Sequence, residues 1–293
     1  MYLAITSILP GLGGKCLLNW FLVFLQRNHI YRSFLGVFSI SLALVDTALA
    51  VVVAALYVCS DGHGVALLGL RLTTYHACLL VQIVAQVHRA LQWPVVVMAA
   101  LDHFSTVSQG LYAGFSTAKW FVYLFLTGFL WYLAALYVFL LSNFIPVFED
   151  VSIQQMHRCW VFYYSPLSLE ITVLLLLTVA FAALRASCCL PPKDQITDQS
   201  RTHSRRSFVH QVLCIFLKTW TLFLVFLAAL TVLPVGLPTY LDLNVAWLCF
   251  LNSLLIAVAL CAVCPTWQGL AAVPPDRFCE WRFNFSPAAE DKA

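Results

Sequence analysis

Charged residues are scarce in this chain: Asp, Glu, Lys and Arg supply 10% of its 293 residues, against 62% for the hydrophobic residues. A soluble domain of this length could not bury so much apolar surface. The few cations form no basic run of the kind that nucleic-acid-binding proteins carry, and the net charge is only +3. The composition therefore excludes a soluble globular protein, gives no ground for a nucleic-acid partner, and predicts an all-α membrane protein embedded in the lipid bilayer.

Sequence motifs for enzyme chemistry are also absent. The eight histidines include no His-x-x-x-His pair that would hold a metal, and neither a Gly-x-Ser-x-Gly motif nor a phosphate-binding P-loop occurs. The chain shows no internal repeat of the kind on which inverted-repeat transporters are built. We therefore expect no catalytic residue, no metal and no cofactor.

Seven stretches are long and apolar enough to cross a bilayer as helices, which takes about 20 residues each. The predicted spans are residues 3–25, 34–59, 74–101, 119–141, 167–185, 208–233 and 240–264. Residues 1–265 are thus expected to form a seven-transmembrane helix bundle, and residues 266–293 a short cytoplasmic tail. The polar stretch 186–207, which contains two prolines, is expected to be a flexible loop.

The lysines and arginines of the loops predict the orientation of the bundle, because cationic loops stay on the cytoplasmic side. One set of loops carries only Arg71 and Arg158. The other set, with the tail, carries eleven cations: Arg27, Arg32, Lys119, Arg185, Lys193, Arg201, Arg205, Arg206, Arg277, Arg282 and Lys292. This asymmetry places the N-terminus outside and the tail inside.

Polar and aromatic residues recur at a definite spacing through the predicted spans. They are Asn19 in the first span, Leu42-Ala43-Leu44-Val45-Asp46 in the second, Cys78 and Asp102 in the third, Trp131 in the fourth, Cys159 in the second outer loop, Trp220 in the sixth, and Asn252-Ser253 in the seventh. Their order and spacing resemble those of the rhodopsin-like G-protein-coupled receptors. Residues 39–46, 70–84 and 238–257 resemble one orphan member of that family in particular.

The resemblance implies a seven-helix receptor of the plasma membrane. It implies an extracellular ligand, whose identity the sequence does not give, and a G protein or another cytoplasmic signalling protein as the inner partner. It also implies a disulfide between Cys78 and Cys159, although two free thiols, or Cys59 as the partner, remain open on the sequence alone.

The activation motifs of the family are degenerate in this chain. Asp102 is followed by His103 and Phe104, so the arginine of the family's Asp-Arg-Tyr motif is missing. The family's prolines in the sixth and seventh spans are missing as well, at residues 219–222 and 256–260. In the family, that arginine contacts the G protein and the proline-kinked helices move. We therefore expect G-protein coupling to be atypical or weak.

Three residues are candidates for lining a ligand cavity: Ala85, Arg89 and Trp220. Amine receptors carry an aspartate where this chain has Ala85, and the seventh span has no lysine to bind retinal, so the resemblance excludes both ligand classes. Arg89 lies three helical turns below Cys78, where it is expected either to bind an anionic ligand group or to form a structural pair.

Asp46 is an acidic residue within an apolar span, where an unpaired charge costs about 2.5–3.5 kcal/mol on insertion scales. In the family this aspartate helps to hold a sodium ion. Asn252 and Ser253 match two residues of that ion site, whereas Gln92 replaces a small hydroxyl residue. The ion site is therefore expected to be short of ligands.

Lys15 lies four residues before Asn19, one turn outward on the same helical face. Our hypothesis is that its ammonium group takes the place of the ion and pairs with Asp46, directly or through Asn252 and water. The alternative is a protonated Asp46 that bonds to other neighbours, with Lys15 reaching the outer surface separately.

A membrane transporter or channel remains the alternative function, because Lys15, Asp46, Arg89 and Lys218 are all charges within spans. A seven-helix scaffold without signalling activity is a further alternative. Lys218 lies about 200° around its helix from Trp220, so it is expected to face lipid or a neighbouring helix if Trp220 faces inward.

Overall fold

The computed structural model describes residues 2–28, 30–60, 65–67, 70–72, 74–108, 117–141, 158–160, 163–164, 167–188, 199–232, 237–263 and 276–279. Helices make up most of this part of the chain. They are α1 (Ile5–Leu25), α2 (Phe34–Ser60), α3 (Thr74–Ser108), α4 (Thr117–Leu140), α5 (Leu167–Cys188), α6 (Gln199–Val232), α7 (Thr239–Asp242) and α8 (Val245–Val263). A short 3-10 turn, Ile30–Arg32, joins α1 to α2.

The chain is a bundle of seven membrane-spanning helices with its N-terminus outside, which confirms the predicted fold class. In the part of the chain that the structure describes, four helical stretches are long and apolar enough to span by themselves: Ser7–Leu25, Phe34–Val58, Lys119–Leu140 and Val209–Ala229. Leu169–Ala180 and Val245–Cys261 are shorter apolar helices. The remaining span, α3, buries the polar side chains of Gln82, His88 and Gln92 and is correspondingly less apolar.

The core of the bundle lies mainly between α2, α3, α6 and α8. Its largest fully buried side chains include Phe38, Leu91, Phe216, Trp247 and Phe250. A smaller apolar cluster lies toward the outer end, where side chains of α1, α2, α3 and α7 meet around Cys78 and Cys159. The lipid-facing sides of the helices carry exposed apolar residues, as a bilayer requires.

Within the described residues, three short antiparallel strand pairs are formed by the segment before α1 and by the segments that connect the outer ends of the helices. Strand β1 (Tyr2–Ala4) pairs with β4 (Arg158–Trp160), and β2 (Val65–Leu67) pairs with β3 (Leu70–Leu72). Strand β5 (Tyr163–Tyr164) pairs with β6 (Leu237–Pro238). The second outer loop is thereby tied both to the N-terminal strand and to the segment before α7.

Two helices extend well beyond the predicted spans. Helix α3 continues to Ser108, beyond the predicted end at residue 101, and α6 begins at Gln199, inside the stretch predicted as a flexible loop. Of that loop, residues 189–198 lie outside the described residues, as do the predicted domain boundary at residue 265 and most of the tail.

The seventh span is interrupted, which the sequence did not predict. Leu243 has an extended backbone (φ −83°, ψ 112°) after α7. The Asn244 side chain then accepts a hydrogen bond from the Trp247 backbone N–H at 2.9 Å, which is an N-cap for α8. An extended residue followed by a capping asparagine explains why the helix stops and starts again within one apolar stretch.

Candidate functional site

A buried ion pair lies at the centre of the candidate site. The Lys15 Nζ atom is 2.9 Å from the Asp46 Oδ1 atom, and the two side chains are 3% and 0% exposed. Lys15 comes from α1 and Asp46 from α2, the two helices that pack against each other most extensively. The structure therefore has the direct form of the predicted pair, without Asn252 as a bridge.

Asn19 completes the hydrogen bonding of the Asp46 carboxylate. It lies one turn from Lys15 on the same face of α1, and its Nδ2 atom donates to Asp46 Oδ2 at 2.8 Å. Each oxygen of the carboxylate thus receives one donor from α1. Such complete hydrogen bonding is what makes a charge tolerable in a low-dielectric interior.

The same two side chains also bind the broken ends of the seventh span. Lys15 Nζ donates to the carbonyl oxygen of Tyr240 at 2.8 Å, and the Val245 backbone N–H donates to Asn19 Oδ1 at 3.0 Å. Interrupting a helix within the membrane frees backbone groups that lipid cannot satisfy. Lys15 and Asn19 satisfy one freed carbonyl and one freed N–H, so the ion pair and the helix break form a single structure.

A glycine on α1 allows α7 to come close enough for these bonds. A Cβ atom added to Gly11 would lie 2.9 Å from the Tyr240 hydroxyl oxygen, which is too close for an unstrained contact. Gly11 is one turn outward from Lys15 on the same face of α1. The absence of a side chain there lets the Tyr240 ring pack against α1 and presents the Tyr240 carbonyl to Lys15.

Helix α3 closes the other side of the site. The His88 Nε2 atom is 3.9 Å from Asp46 Oδ1. The His88 ring makes an edge-to-face contact with Trp131, with 5.7 Å between the ring centres. Gln92, one turn further inward, donates from Nε2 to Asp242 Oδ2 at 2.8 Å. Gln92 therefore joins α3 to α7 rather than binding Asp46.

Asn252 and Ser253 do not take part in this cluster. The hydrogen-bond partners of Asp46 among the described residues are Lys15 and Asn19. Asn252 lies nearer the inner end of the bundle, where it lines a cavity together with Ser33, the residue before α2, and Ser39 of α2. Ser253 lies beside Cys279 of the tail.

The remaining predicted site residues lie away from this cluster. Cys78 and Cys159 form the disulfide, with 5.5 Å between their Cα atoms, and Ala85 is buried in the outer apolar cluster below it. Arg89 lies on the exposed face of α3 with Trp93 and Val97, not on the face that carries His88 and Gln92. The exposed Arg89 side chain therefore does not point toward the buried Lys15–Asp46 pair.

Trp220 is buried in an aromatic cluster between α6 and α8. Its ring centre lies 5.3 Å from Phe250 and 5.6 Å from Phe223. A segment of the tail, Asp276–Cys279, adds to this cluster, because the Phe278 ring centre is 5.3 Å from Trp220. Cys279 is buried beside Trp220, and its burial raises the pKa of the thiol to about 12.

At the inner end, Asp102 holds three helices together. Its Oδ2 atom accepts the backbone N–H of Phe34, the first residue of α2, at 3.1 Å. Its Oδ1 atom accepts the Tyr123 hydroxyl of α4 at 2.7 Å. A carboxylate at a helix N-terminus satisfies a free N–H and complements the helix dipole.

The residues after Asp102 point in opposite directions. His103 is 2% exposed and lies beside Asn252 of α8, and its Nε2 atom has no hydrogen-bond partner among the described residues. Phe104 is exposed on the outside of α3. The residue at the position of the family's arginine therefore faces the bundle interior as a buried ring.

Sequence reasoning missed Tyr240, Asp242 and Asn244 as parts of the site. The stretch TYLDLNV contains Asp242 and Asn244, and polar residues such as these inside an apolar run were the available signal for a break. The role of Tyr240 rests on its backbone carbonyl, for which the sequence carries no signal.

Comparison with known proteins shows relatives that align along almost the whole chain. The probable G-protein coupled receptor 160 of Homo sapiens is 28% identical over 294 residues, that of Mus musculus 29% over 294, and that of Rattus norvegicus 30% over 295. Each alignment covers 94% of this chain and 85% of the relative. No family model and no solved structure matches the chain.

Proposed function

Because the chain belongs to the family of the probable G-protein coupled receptor 160, we propose that it is a plasma-membrane receptor with atypical or weak coupling to G proteins. The observation that carries the proposal is the arrangement of Asp102 and His103. Asp102 is engaged with α2 and α4, and His103 is a buried ring beside α8. Neither residue offers a cation to a protein that approaches from the cytoplasm.

The replacement of arginine by histidine also removes a specific binding chemistry. Arginine presents a rigid fork of five donors that is always charged, whereas an imidazole offers at most two donors and loses its charge near neutral pH. A buried imidazole is an even poorer substitute for the arginine cation, because burial disfavours the charged form of a base. A G protein that docks on an arginine therefore lacks its contact in this chain.

The buried Lys15–Asp46 pair supports the proposal that this receptor does not bind sodium at its centre. The Lys15 ammonium already neutralises Asp46 at 2.9 Å, and Asn19 binds the second carboxylate oxygen. A sodium ion would have to displace a covalently tethered cation and the hydrogen bond that it makes to Tyr240. We propose that the ammonium group permanently replaces the ion.

Nucleotide exchange in reconstituted vesicles tests the coupling proposal. Purified full-length protein is combined with several heterotrimeric G proteins, and exchange is compared with that of the G proteins alone. We expect the wild-type chain, without added ligand, to raise exchange by less than about twofold, and the His103→Arg variant to remain low because the aspartate is still held by α2 and α4. Robust exchange by the wild type with several G proteins would refute the proposal.

A transporter is the second candidate function, because interrupted spans with charged groups at the break are typical of transporter binding sites. The hydrogen bonds of Lys15 and Asn19 to the broken ends argue for a static structure. Ion and proton flux into vesicles that contain the purified protein separates the two functions. Flux above that of empty vesicles that disappears in Asp46→Asn would favour the transporter.

A further inference from the structure

The α6 helix carries a lysine in the middle of its apolar stretch. Lys218 lies nine residues from Val209 and eleven from Ala229, the ends of the stretch that is long enough to span. At 1.5 Å per residue, the Lys218 backbone is about 14 Å from the nearer end. A lysine side chain is too short to carry its ammonium group over that distance to the headgroups.

Lys218 points away from the bundle. The packed side of α6 is formed by Val212, Phe216 and Trp220, all buried, whereas Lys218 is exposed. Leu222, one turn further along from Lys218, is 86% exposed. The prediction that Lys218 lies opposite an inward-facing Trp220 is thus confirmed.

Lys218 has no acidic partner within the described part of the chain, where the one lysine–carboxylate ion pair is Lys15–Asp46. A cation in hydrocarbon is retained at a substantial free-energy cost, and ionisable residues within spans usually pair with one another or with backbone carbonyls. The same face of α6 carries His210 and Cys214, at one-turn intervals toward the inner surface. The face is therefore a polar stripe in an otherwise apolar surface.

We propose that this face, defined by His210, Cys214 and Lys218, is a docking surface for a transmembrane helix of another protein that carries a carboxylate at the depth of Lys218. Charge complementarity identifies the partner: only an acidic side chain in the membrane both neutralises the ammonium group and stays at mid-depth. The partner helix would pack along the stripe, with its carboxylate bound to Lys218.

A second copy of this chain does not meet that requirement. Among the described residues, the carboxylates within helices are Asp46, Asp102, Glu170 and Asp242. Asp46, Asp102 and Asp242 are already hydrogen-bonded inside the bundle, and Glu170 lies in the first turn of α5, at its outer end. Two α6 helices facing each other would bring two lysines together.

Cysteine cross-linking tests the surface, because Cys214 is exposed one turn from Lys218. The probe is a single-span Leu/Ala helix with one central aspartate and a cysteine one turn closer to the cytoplasm. A matched probe carries asparagine instead of aspartate. Each probe is co-expressed with the full-length chain in membranes, and the disulfide-linked heterodimer is quantified after mild oxidation.

We expect the aspartate probe to cross-link to Cys214 on the order of tenfold more than the asparagine probe. Lys218→Met should abolish that difference without harming folding, because methionine is better suited to lipid. Lys119→Met removes a lysine near the inner end of α4 and should leave the difference unchanged. A Lys218→Asp variant should instead prefer a probe with a central lysine.

Three outcomes would overturn the proposal. Equal cross-linking by the aspartate and asparagine probes, or an unchanged yield in Lys218→Met, would mean that the surface contacts lipid only. Cys214-to-Cys214 homodimers that persist at the same yield with either probe present would identify a second copy as the occupant. Cross-links that survive Cys214→Ser would show that another cysteine forms them.

Discussion

The Lys15 ammonium group lies 2.9 Å from the Asp46 carboxylate in an interior that excludes water. The pair does more than neutralise charge, because Lys15 also binds the carbonyl of Tyr240 and Asn19 binds the N–H of Val245. If the bundle depends on this pair, the thermal stability of variants that lack one or both charges should reveal it.

Lys15→Met and Asp46→Asn should each lower thermal stability. Each change leaves one uncompensated buried charge, a loss of about 3–5 kcal/mol for a buried pair. The double variant should recover much of this loss, because both charges are then gone. Thermal unfolding of the purified protein in detergent measures the effect, and Lys119→Met is the control for loss of a lysine.

The same melting experiment, run with and without sodium, distinguishes the Lys15–Asp46 pair from a sodium ion bound at Asp46. We expect the melting temperature of the wild type to be the same in sodium and in choline chloride at equal ionic strength, because the Lys15 ammonium group already neutralises the Asp46 carboxylate. Strictly additive losses in the double variant, or a wild type that sodium stabilises, would contradict the pairing.

Tyr123→Phe should destabilise the inner end of the bundle by about 1–3 kcal/mol. The change removes the hydroxyl that donates to Asp102 at 2.7 Å and leaves part of the carboxylate without a partner. Tyr132→Phe is the matched control, since Tyr132 is on the same helix and is exposed. Equal melting temperatures for the two variants would contradict a structural role for Asp102.

Reduction of the Cys78–Cys159 disulfide should lower stability by about 2–4 kcal/mol, because the bridge spans 81 residues of sequence. Cys78→Ser and Cys159→Ser should have equal effects that do not add. Cys16→Ser, which removes a free and partly buried thiol, serves as the control. Peptide mapping without reductant should recover the two cysteines as one linked pair.

Cys279 should resist alkylation in the folded protein at pH 7 to 9. Burial raises the pKa of its thiol to about 12, so the reactive thiolate is scarce over that range, and access is blocked as well. Mass spectrometry of the Cys279 peptide after maleimide treatment measures the reaction. Phe278→Ala should increase labelling by loosening the contact with Trp220. Rapid labelling of the wild type would contradict the burial of the tail segment.

The spans could be predicted from the sequence because long apolar runs reflect the thickness of the bilayer directly. The pairing of Lys15 with Asp46 was accessible too, because two charges at matching depths in adjacent helices have few other ways to be neutralised. Helix periodicity was also sufficient to place Lys218 opposite Trp220.

Other features depend on tertiary packing that no local pattern encodes. Asp242 and Asn244 mark the break after α7 locally, but the carbonyl and the N–H that the break frees are satisfied by Lys15 and Asn19, which are 225 and 226 residues away in sequence. Asp102 finds its partners 68 and 21 residues away in sequence, through the packing of α2, α3 and α4. The tail composition gave no sign that Phe278 would pack against Trp220.

The separation of 31 positions between Lys15 and Asp46 in sequence also bears on how the chain enters the membrane during synthesis. The ribosome delivers α1 first, with an ammonium group at its middle that has no counter-ion yet. A lone charge of that kind opposes insertion by about 2.5–3.5 kcal/mol, so α1 by itself is a poor membrane anchor. Once Asp46 emerges, the two helices become a neutral hairpin. We therefore expect α1 to wait at the translocation machinery and to enter the lipid together with α2.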